Sequence, residues 1–215
     1  MRKILVGIPV IYCDECVSQC LDSIESQADE ILIIDNNSTE GIKKIISGKN
    51  KIVNPQNVFV NPAWNQIMEY FLKSENDILI ILNSDMIVRN DALNIIRNIN
   101  IDEDLSIVLP SQVKSFSQVP DSKIEEIPWG YPGIMIILTR KMCEIVYPIP
   151  DGIKLWFGDD WIYKNLKKAG YSLRIYSSIE CIHSGSRSLF SLPDYSSIIE
   201  EDKVKWEEIK KNKNI

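Results

Sequence analysis

The sequence has no long apolar run, no basic stripe and a single histidine, and each shortage narrows the functions open to it. No stretch approaches the ~18 consecutive apolar residues of a membrane-spanning helix. The formal net charge over 215 residues is −6, and lysine and arginine gather nowhere into a stripe. That argues against a surface for nucleic-acid phosphates, so no nucleic-acid partner is expected. Arginine is scarce beside lysine, isoleucine and asparagine, which reads as a compositional bias without chemistry of its own. The N-terminus begins with Arg2-Lys3, as a signal peptide would, but its apolar segment is short and lacks a small-residue cleavage site before Pro9. It reads as a first strand, and the expected location is cytoplasmic, at the cytosolic face of a membrane if the substrate is membrane-bound.

Cysteine is present at five positions: Cys13, Cys16, Cys20, Cys143 and Cys181. Cys13-x-x-Cys16 has redox or zinc spacing, but no second pair follows and the histidine is far away. Cys16 and Cys20 also share a helical face, so reduced, buried thiols are the expectation.

What is there is an alternation of strand-like and helix-like segments over a chain that is 45% hydrophobic, enough for a full core. Lys3–Ile8 reads as strand. Asp14 caps a helix whose Val17, Cys20, Leu21 and Ile24 form one stripe. Strands follow at Glu30–Ile34, with short candidates at Ile52-Val53 and Val58–Val60. Asn61-Pro62 opens a helix with Trp64, Ile67, Met68, Phe71 and Leu72 on its apolar face. Ile78–Leu82 is a continuous apolar run of buried-strand type, and a helix capped by Asn90 leads to the strand Leu105–Leu109. The pattern βαβαβ predicts a parallel sheet.

The second half is less regular. Gln112–Pro128 reads as a polar excursion and Gly133–Leu138 as strand. A helix runs from Asp160 to Ala169 with Gly170 as its stop. Ser172–Tyr176 and Ile179–Ile182 are two final strands, and the charged tail from Glu200 is a surface helix. With no repeat and no linker, one domain over residues 1–215 is expected: a nucleotide-binding half (about 1–110), an acceptor half (about 111–199) and the tail (200–215).

Chemistry concentrates where strands end. Asn83-Ser84-Asp85 follows a buried strand directly, a position at which open α/β sheets bind ligands. Pro9, Val10, Ile11 and Tyr12 follow the first strand, and Asp35-Asn36-Asn37-Ser38-Thr39 the second. Asp159 and Asp160 open a helix, and His183 ends a strand. An acid at a strand tip, an acidic pair and a histidine suggest a metal-assisted transferase.

The ordered set Val6–Pro9 with Tyr12, Ile31–Thr39, Asn57–Asn65, Ile81–Asp85, Trp129–Gly133, Phe157–Trp161 and His183 resembles the GT-A glycosyltransferases of the family-2-like group. The resemblance covers nearly the whole chain. It implies a Rossmann-like α/β fold, with a mostly parallel central sheet flanked by helices, and transfer of a sugar from a nucleotide-sugar donor to a glycan or glycoconjugate acceptor. Uridine is the first choice of base and deoxythymidine the second.

By that resemblance Pro9, Val10, Ile11, Tyr12 and Asp35 hold the nucleoside, joined at the donor by Asn37, Asn65, Asn83 and Ser84. Asp85 matches the last acid of the family's Asp-x-Asp motif, whose first acid is Asn83 here. His183 matches a metal-ligating position, so Mn²⁺, or Mg²⁺, is the implied cofactor. Asp160 is the expected base and Asp159 the acceptor ligand. Arg187, in a glycine-serine loop, closes over the diphosphate, and Trp129, Tyr131 and Trp156 stack on acceptor sugars.

For several of these residues a plain structural reading stands beside the functional one: a turn for Asp35, a helix cap for the acidic pair, and core packing for the aromatics. Inversion and retention both remain open. Two rivals remain as well. A sugar-1-phosphate nucleotidyltransferase would need a glycine-rich basic loop after the first strand, where Val10-Ile11-Tyr12-Cys13 stands instead. A non-catalytic nucleotide-sugar binding module within a larger glycan-assembly protein would lack turnover.

Overall fold

The computed structural model describes residues 1–128, 130–185 and 194–213; Trp129 and Arg187 therefore lie outside the described residues. Its main sheet has five strands in the order β3-β2-β1-β4-β8. They are β1 (Ile4–Val10), β2 (Glu30–Asp35), β3 (Lys51–Val53), β4 (Ile78–Leu82) and β8 (Met135–Thr139). The first four run parallel and β8 is antiparallel to β4. Every residue of β1 and β4 is buried. Because successive strand residues face opposite sides, both faces of the sheet must be covered, which is why these segments read as unbroken apolar runs.

Helices α1 (Asp14–Ile24), α2 (Glu40–Ile45) and α3 (Val60–Lys73) make the crossovers between the parallel strands. Helix α3 packs on β1, β2 and β4. It lies close because Gly7 has no side chain: a Cβ there would stand 2.2 Å from Ile67. The α3 C-terminus is fastened by Arg140, whose guanidinium donates to the carbonyls of Leu72, Ser74 and Asn76 and lies over the Phe71 ring. Leu72 lies in the last turn, whose carbonyls a helix end leaves without partners, while Ser74 is the C-cap residue and Asn76 belongs to the chain just beyond it.

A second sheet holds β5 (Met86–Val88), β9 (Ser172–His183) and β6 (Ser106–Gln112), with β7 (Ile124–Ile127) on β9. Where two strands were expected, β9 is one continuous strand. Its register against β6 jumps from Pro110↔Tyr176 to Ser111↔Glu180, so the Ser177-Ser178 break is a bulge and not an end. Strand β7 lies inside the expected excursion; Ile124, Glu125 and Glu126 are exposed and only Ile127 is half-buried, so its sequence carries no burial pattern. The segment Val58–Val60 is not strand, since Val60 already begins α3.

The remaining helices are α4 (Ala92–Asn98), α5 (Arg140–Val146), α6 (Gly158–Lys168) and α7 (Tyr195–Lys213). Asp91, not Asn90, is the N-cap residue of α4. The tail is a correction. Helix α7 starts before Glu200 and is docked, with Ile199, Asp202, Trp206 and Ile209 buried. The cysteines are another: Cys13 and Cys16 form a disulfide. Cys13 has a left-handed backbone (φ 68°) just before α1, which brings its side chain over the first turn. Cys20, Cys143 and Cys181 are buried free thiols, each pushed up to about 12 by burial. No helix among the described residues is long and apolar enough to cross a membrane.

Candidate active site

The C-terminal ends of β1, β2 and β4 open into a cleft of about 500 Å³. Pro9, Val10 and Ile11 line it after β1, Asn36 after β2, and Asn83, Ser84 and Asp85 after β4. Its far wall is Pro132–Ile134 and Leu155–Asp160, and His183 completes it. The convergence follows from parallel strands sharing one edge.

Strand β5 brings Asp85 and His183 together. The chain leaves β4, turns through Asn83-Ser84-Asp85, and enters the second sheet at once, where Met86 pairs with His183. The Ser184 N–H donates to the Asp85 carbonyl at 2.9 Å, and His183 Nε2 stands 3.2 Å from Asp85 Oδ2. One imidazole and one carboxylate at a cleft edge fit a divalent cation that takes its remaining ligands from a bound diphosphate and water. No group of three or more acid, histidine or cysteine ligands exists among the described residues.

The acidic pair is divided in its duties. Asp159 accepts from the Gly133 N–H through Oδ2 and from the Asp160 N–H through Oδ1, both at 2.9 Å. It thus bolts the turn before β8 onto the start of α6. Gly133 has to be small, because a Cβ there would lie 2.7 Å from the Asp159 Cβ. Burial raises the Asp159 pKa despite these N–H donors. The Asp160 pKa is also raised, first by burial and then by the Asp159 charge, with Lys164 and Lys210 pulling the other way. A carboxylate above its usual range, in the cleft wall, suits a proton acceptor.

Several expected site residues stand elsewhere. Asp35 is buried, does not line the cleft, and accepts from the Ser38 N–H at 2.8 Å, so its carboxylate closes the turn after β2. Asn37 is an exposed, left-handed turn residue with φ 59°. Asn65 is occupied by Ile149, donating to its carbonyl and accepting from its N–H at 2.9 and 2.8 Å. The Tyr131 hydroxyl donates to the Pro110 carbonyl, and neither Tyr131 nor Tyr12 lines the cleft. Trp156 does line it and is 43% exposed.

Sequence reasoning missed Asn36, Asn57, Phe59 and Trp64, all of which line the cleft. Asn36 has a signal, standing beside Asp35 at a strand end. Its side chain accepts from Asn54 at 2.8 Å and reaches the Phe59 carbonyl at 3.5 Å. Phe59 and Phe157 precede α3 and α6 with φ of 68° and 65°, and neither helix has a side-chain N-cap. A left-handed phenylalanine is costly, and nothing in local sequence announces it.

The fold is that of the GT-A glycosyltransferases. Residues 5–154 match the family described as glycosyl transferase family 2, and the chain belongs to that family. It is an enzyme of the sugar-transferring class. Among solved structures, TarS from S. aureus (residues 1–349) superposes with a TM-score of 0.63 at 14% identity. That match covers 93% of this chain and 70% of the other. The same TarS fragment has been solved in complex with UDP. A longer TarS structure gives a TM-score of 0.65 at 14% identity, covering 93% of this chain and 42% of the other. GalNAc-T7 with UDP, GalNAc and Mn²⁺ gives a TM-score of 0.65 at 14% identity over 85% of this chain and 44% of the other. At that identity the likeness speaks for the fold. No curated protein matches the sequence.

Proposed function

We propose that the protein moves a sugar from a uridine-diphosphate sugar to a hydroxyl of a glycan or glycoconjugate, with inversion at the anomeric carbon. The observation that carries this is the sharing of one cleft by two kinds of group: the Asp85–His183 pair, and Asp160 with its raised pKa. The UDP complexes of TarS and GalNAc-T7 support the choice of nucleotide, and the Mn²⁺ of GalNAc-T7 the choice of ion.

Pro9, Val10 and Ile11 bound the nucleoside end, beside Asn36, whose amide is held by Asn54 and the Phe59 carbonyl. Asp85 and His183 would hold Mn²⁺ or Mg²⁺, which when bound supplies positive charge to the leaving diphosphate. Asp160 takes the proton from the acceptor hydroxyl as its oxygen bonds to the anomeric carbon. The bond from that carbon to the diphosphate breaks, and the nucleoside diphosphate departs with the electron pair. Asp159 keeps the turn at Gly133 and the start of α6 in fixed relation, and Trp156 offers an indole face to a sugar.

Thermal unfolding with nucleotide and metal tests the reading. UDP with Mn²⁺ at a hundred times its Kd stabilises by about 2.7 kcal/mol, a shift of several degrees for a chain of this size. Asp85→Ala should lose that shift and His183→Ala should weaken it, both with the unliganded Tm kept. Stabilisation by guanosine but not uridine diphosphate would remove the base assignment. No response to any nucleoside diphosphate would remove the reading.

A further inference from the structure

The C-terminal helix α7 is the least expected part of the structure. It lies outside the family match, which ends at residue 154, and it packs against the stretch on both sides of that residue. Its contacts follow the approach to α6 in order. The side chain of Lys205 lies against Gly152, whose φ is +94°. Glu201 pairs with the Lys154 ammonium at 2.9 Å. Asp202 is 0% exposed and accepts three backbone N–H groups: Lys154 on Oδ1 at 2.7 Å, and Leu155 and Trp156 on Oδ2 at 2.7 and 2.9 Å. Trp206 then stacks on Phe157, with ring centroids 5.5 Å apart and planes within 8°.

From the other side Asn61 of α3 holds the same stretch. Its N–H donates to the Lys154 carbonyl and its side chain to the Trp156 carbonyl, both at 2.9 Å. An irregular segment has no ladder to satisfy its polar groups, so these bonds are what fix its path. That path carries Leu155, Trp156 and Phe157 into the cleft wall and delivers Gly158, Asp159 and Asp160 to the start of α6.

We infer that Asp202 is a positioning residue for the acceptor side of the reaction, acting through the backbone of 154–156 to set Trp156 and the acidic pair. The inference rests on the function proposed above. A carboxylate with three N–H donors is a strong, directional clamp, because each bond is charge-assisted. The nucleotide end is built from the tips of β1, β2 and β4, and the contacts described above run from α7 to residues 152–157 and not to those tips. The effect of Asp202 should therefore be confined to one end of the cleft.

The test is Asp202→Asn, which keeps size but turns an NH₂ towards N–H donors. Two quantities are read on folded protein: the Kd for UDP with Mn²⁺ by calorimetry, and kcat/KM for transfer from UDP-hexoses and UDP-N-acetylhexosamines to a panel of p-nitrophenyl glycosides. The expected result is a UDP Kd within about twofold of wild type and a loss of about 10²-fold in kcat/KM for acceptor, the scale of a misplacement near 1 Å. Trp206→Leu keeps an apolar side chain but removes the stack on Phe157. It should show the same split more weakly, and it decides the matter if Asp202→Asn does not fold. Equal weakening of both quantities would reduce α7 to general support and overturn the inference, as would normal transfer. Wild-type protein that binds no UDP overturns the proposed function and this inference with it; wild-type transfer with an unaffected variant overturns the inference alone.

Discussion

At one end of the cleft Pro9, Asn36 and Asp85 follow strands whose register is set by neighbouring backbone. At the other, Trp156, Asp159 and Asp160 stand on a stretch whose course is set by the side chains of Asn61 and Asp202. The first end distributes its positioning over many ladder bonds between β1, β2 and β4. The second concentrates it in a few buried polar groups, each of which leaves a partner stranded if removed. A strand tip can therefore exchange its side chain with little disturbance of the fold. The acceptor wall cannot exchange Asn61, Gly133 or Asp202 without moving.

The largest expected effect sharpens this contrast at the chemistry. Asp160→Asn should lower kcat by about 10²–10⁴-fold, the ordinary contribution of a general base, while the UDP Kd stays unchanged. In wild type the acid limb of kcat should lie above the usual carboxylate range, because burial and the Asp159 charge raise the Asp160 pKa. Activity rises with pH through that limb as the carboxylate forms. The stability effect of Asp160 has the opposite sign: a proton held more tightly in the folded state means that its contribution declines as pH rises through the same window. A pH–rate profile and a Tm–pH profile on wild type and Asp160→Asn check both. A kcat of wild-type size in the variant would break the contrast at its centre.

A smaller effect is expected from Gly133→Ala. The added Cβ meets the Asp159 side chain, so overpacking of about 1–3 kcal/mol should appear as a lower Tm. Transfer should fall further than UDP affinity, since the strain is at the acceptor end. Equal losses at both ends would show that the cleft deforms as one body.

Smallest is Asn65→Ala, which removes the paired bonds to Ile149 away from the cleft. Loss of stability should be about 1–2 kcal/mol, with turnover per folded molecule unchanged. A selective rise in donor KM would restore Asn65 to the donor site.

The same division decided what could be read from sequence. The parallel core was legible because Ile4–Val10 and Ile78–Leu82 are buried on both faces and so show unbroken apolar runs. The strand-tip residues Pro9, Val10, Ile11, Asn83, Ser84 and Asp85 followed from topology and do line the cleft. Both Asp35 and Asn36 suit a turn, and only the structure shows that Asp35 bonds the Ser38 N–H while Asn36 lines the cleft. Strands β5 and β7 were missed because three residues, or four with two exposed glutamates at the centre, carry no periodicity. Asn61 reads as a helix cap in Asn-Pro, yet it is buried inside the first turn, bonded to residues more than ninety positions away. Asp202 sits in a run of charges that looks solvated, and only tertiary structure shows it buried. The Cys13–Cys16 pairing likewise depends on a left-handed backbone that the cysteine spacing does not reveal.

The jump in pairing between β6 and β9 has a consequence for how this chain tolerates change in length. Residues 177–179 have no partner on β6, whereas His183 two strand repeats later is pinned by Met86 across β5. A residue inserted between Ile179 and His183 would turn the imidazole to the opposite face of the sheet. One inserted at Ser177 or Ser178 would only enlarge an existing bulge and leave His183 beside Asp85. Length variation in β9 should thus collect at its two serines and be absent from the four residues that follow Ile179.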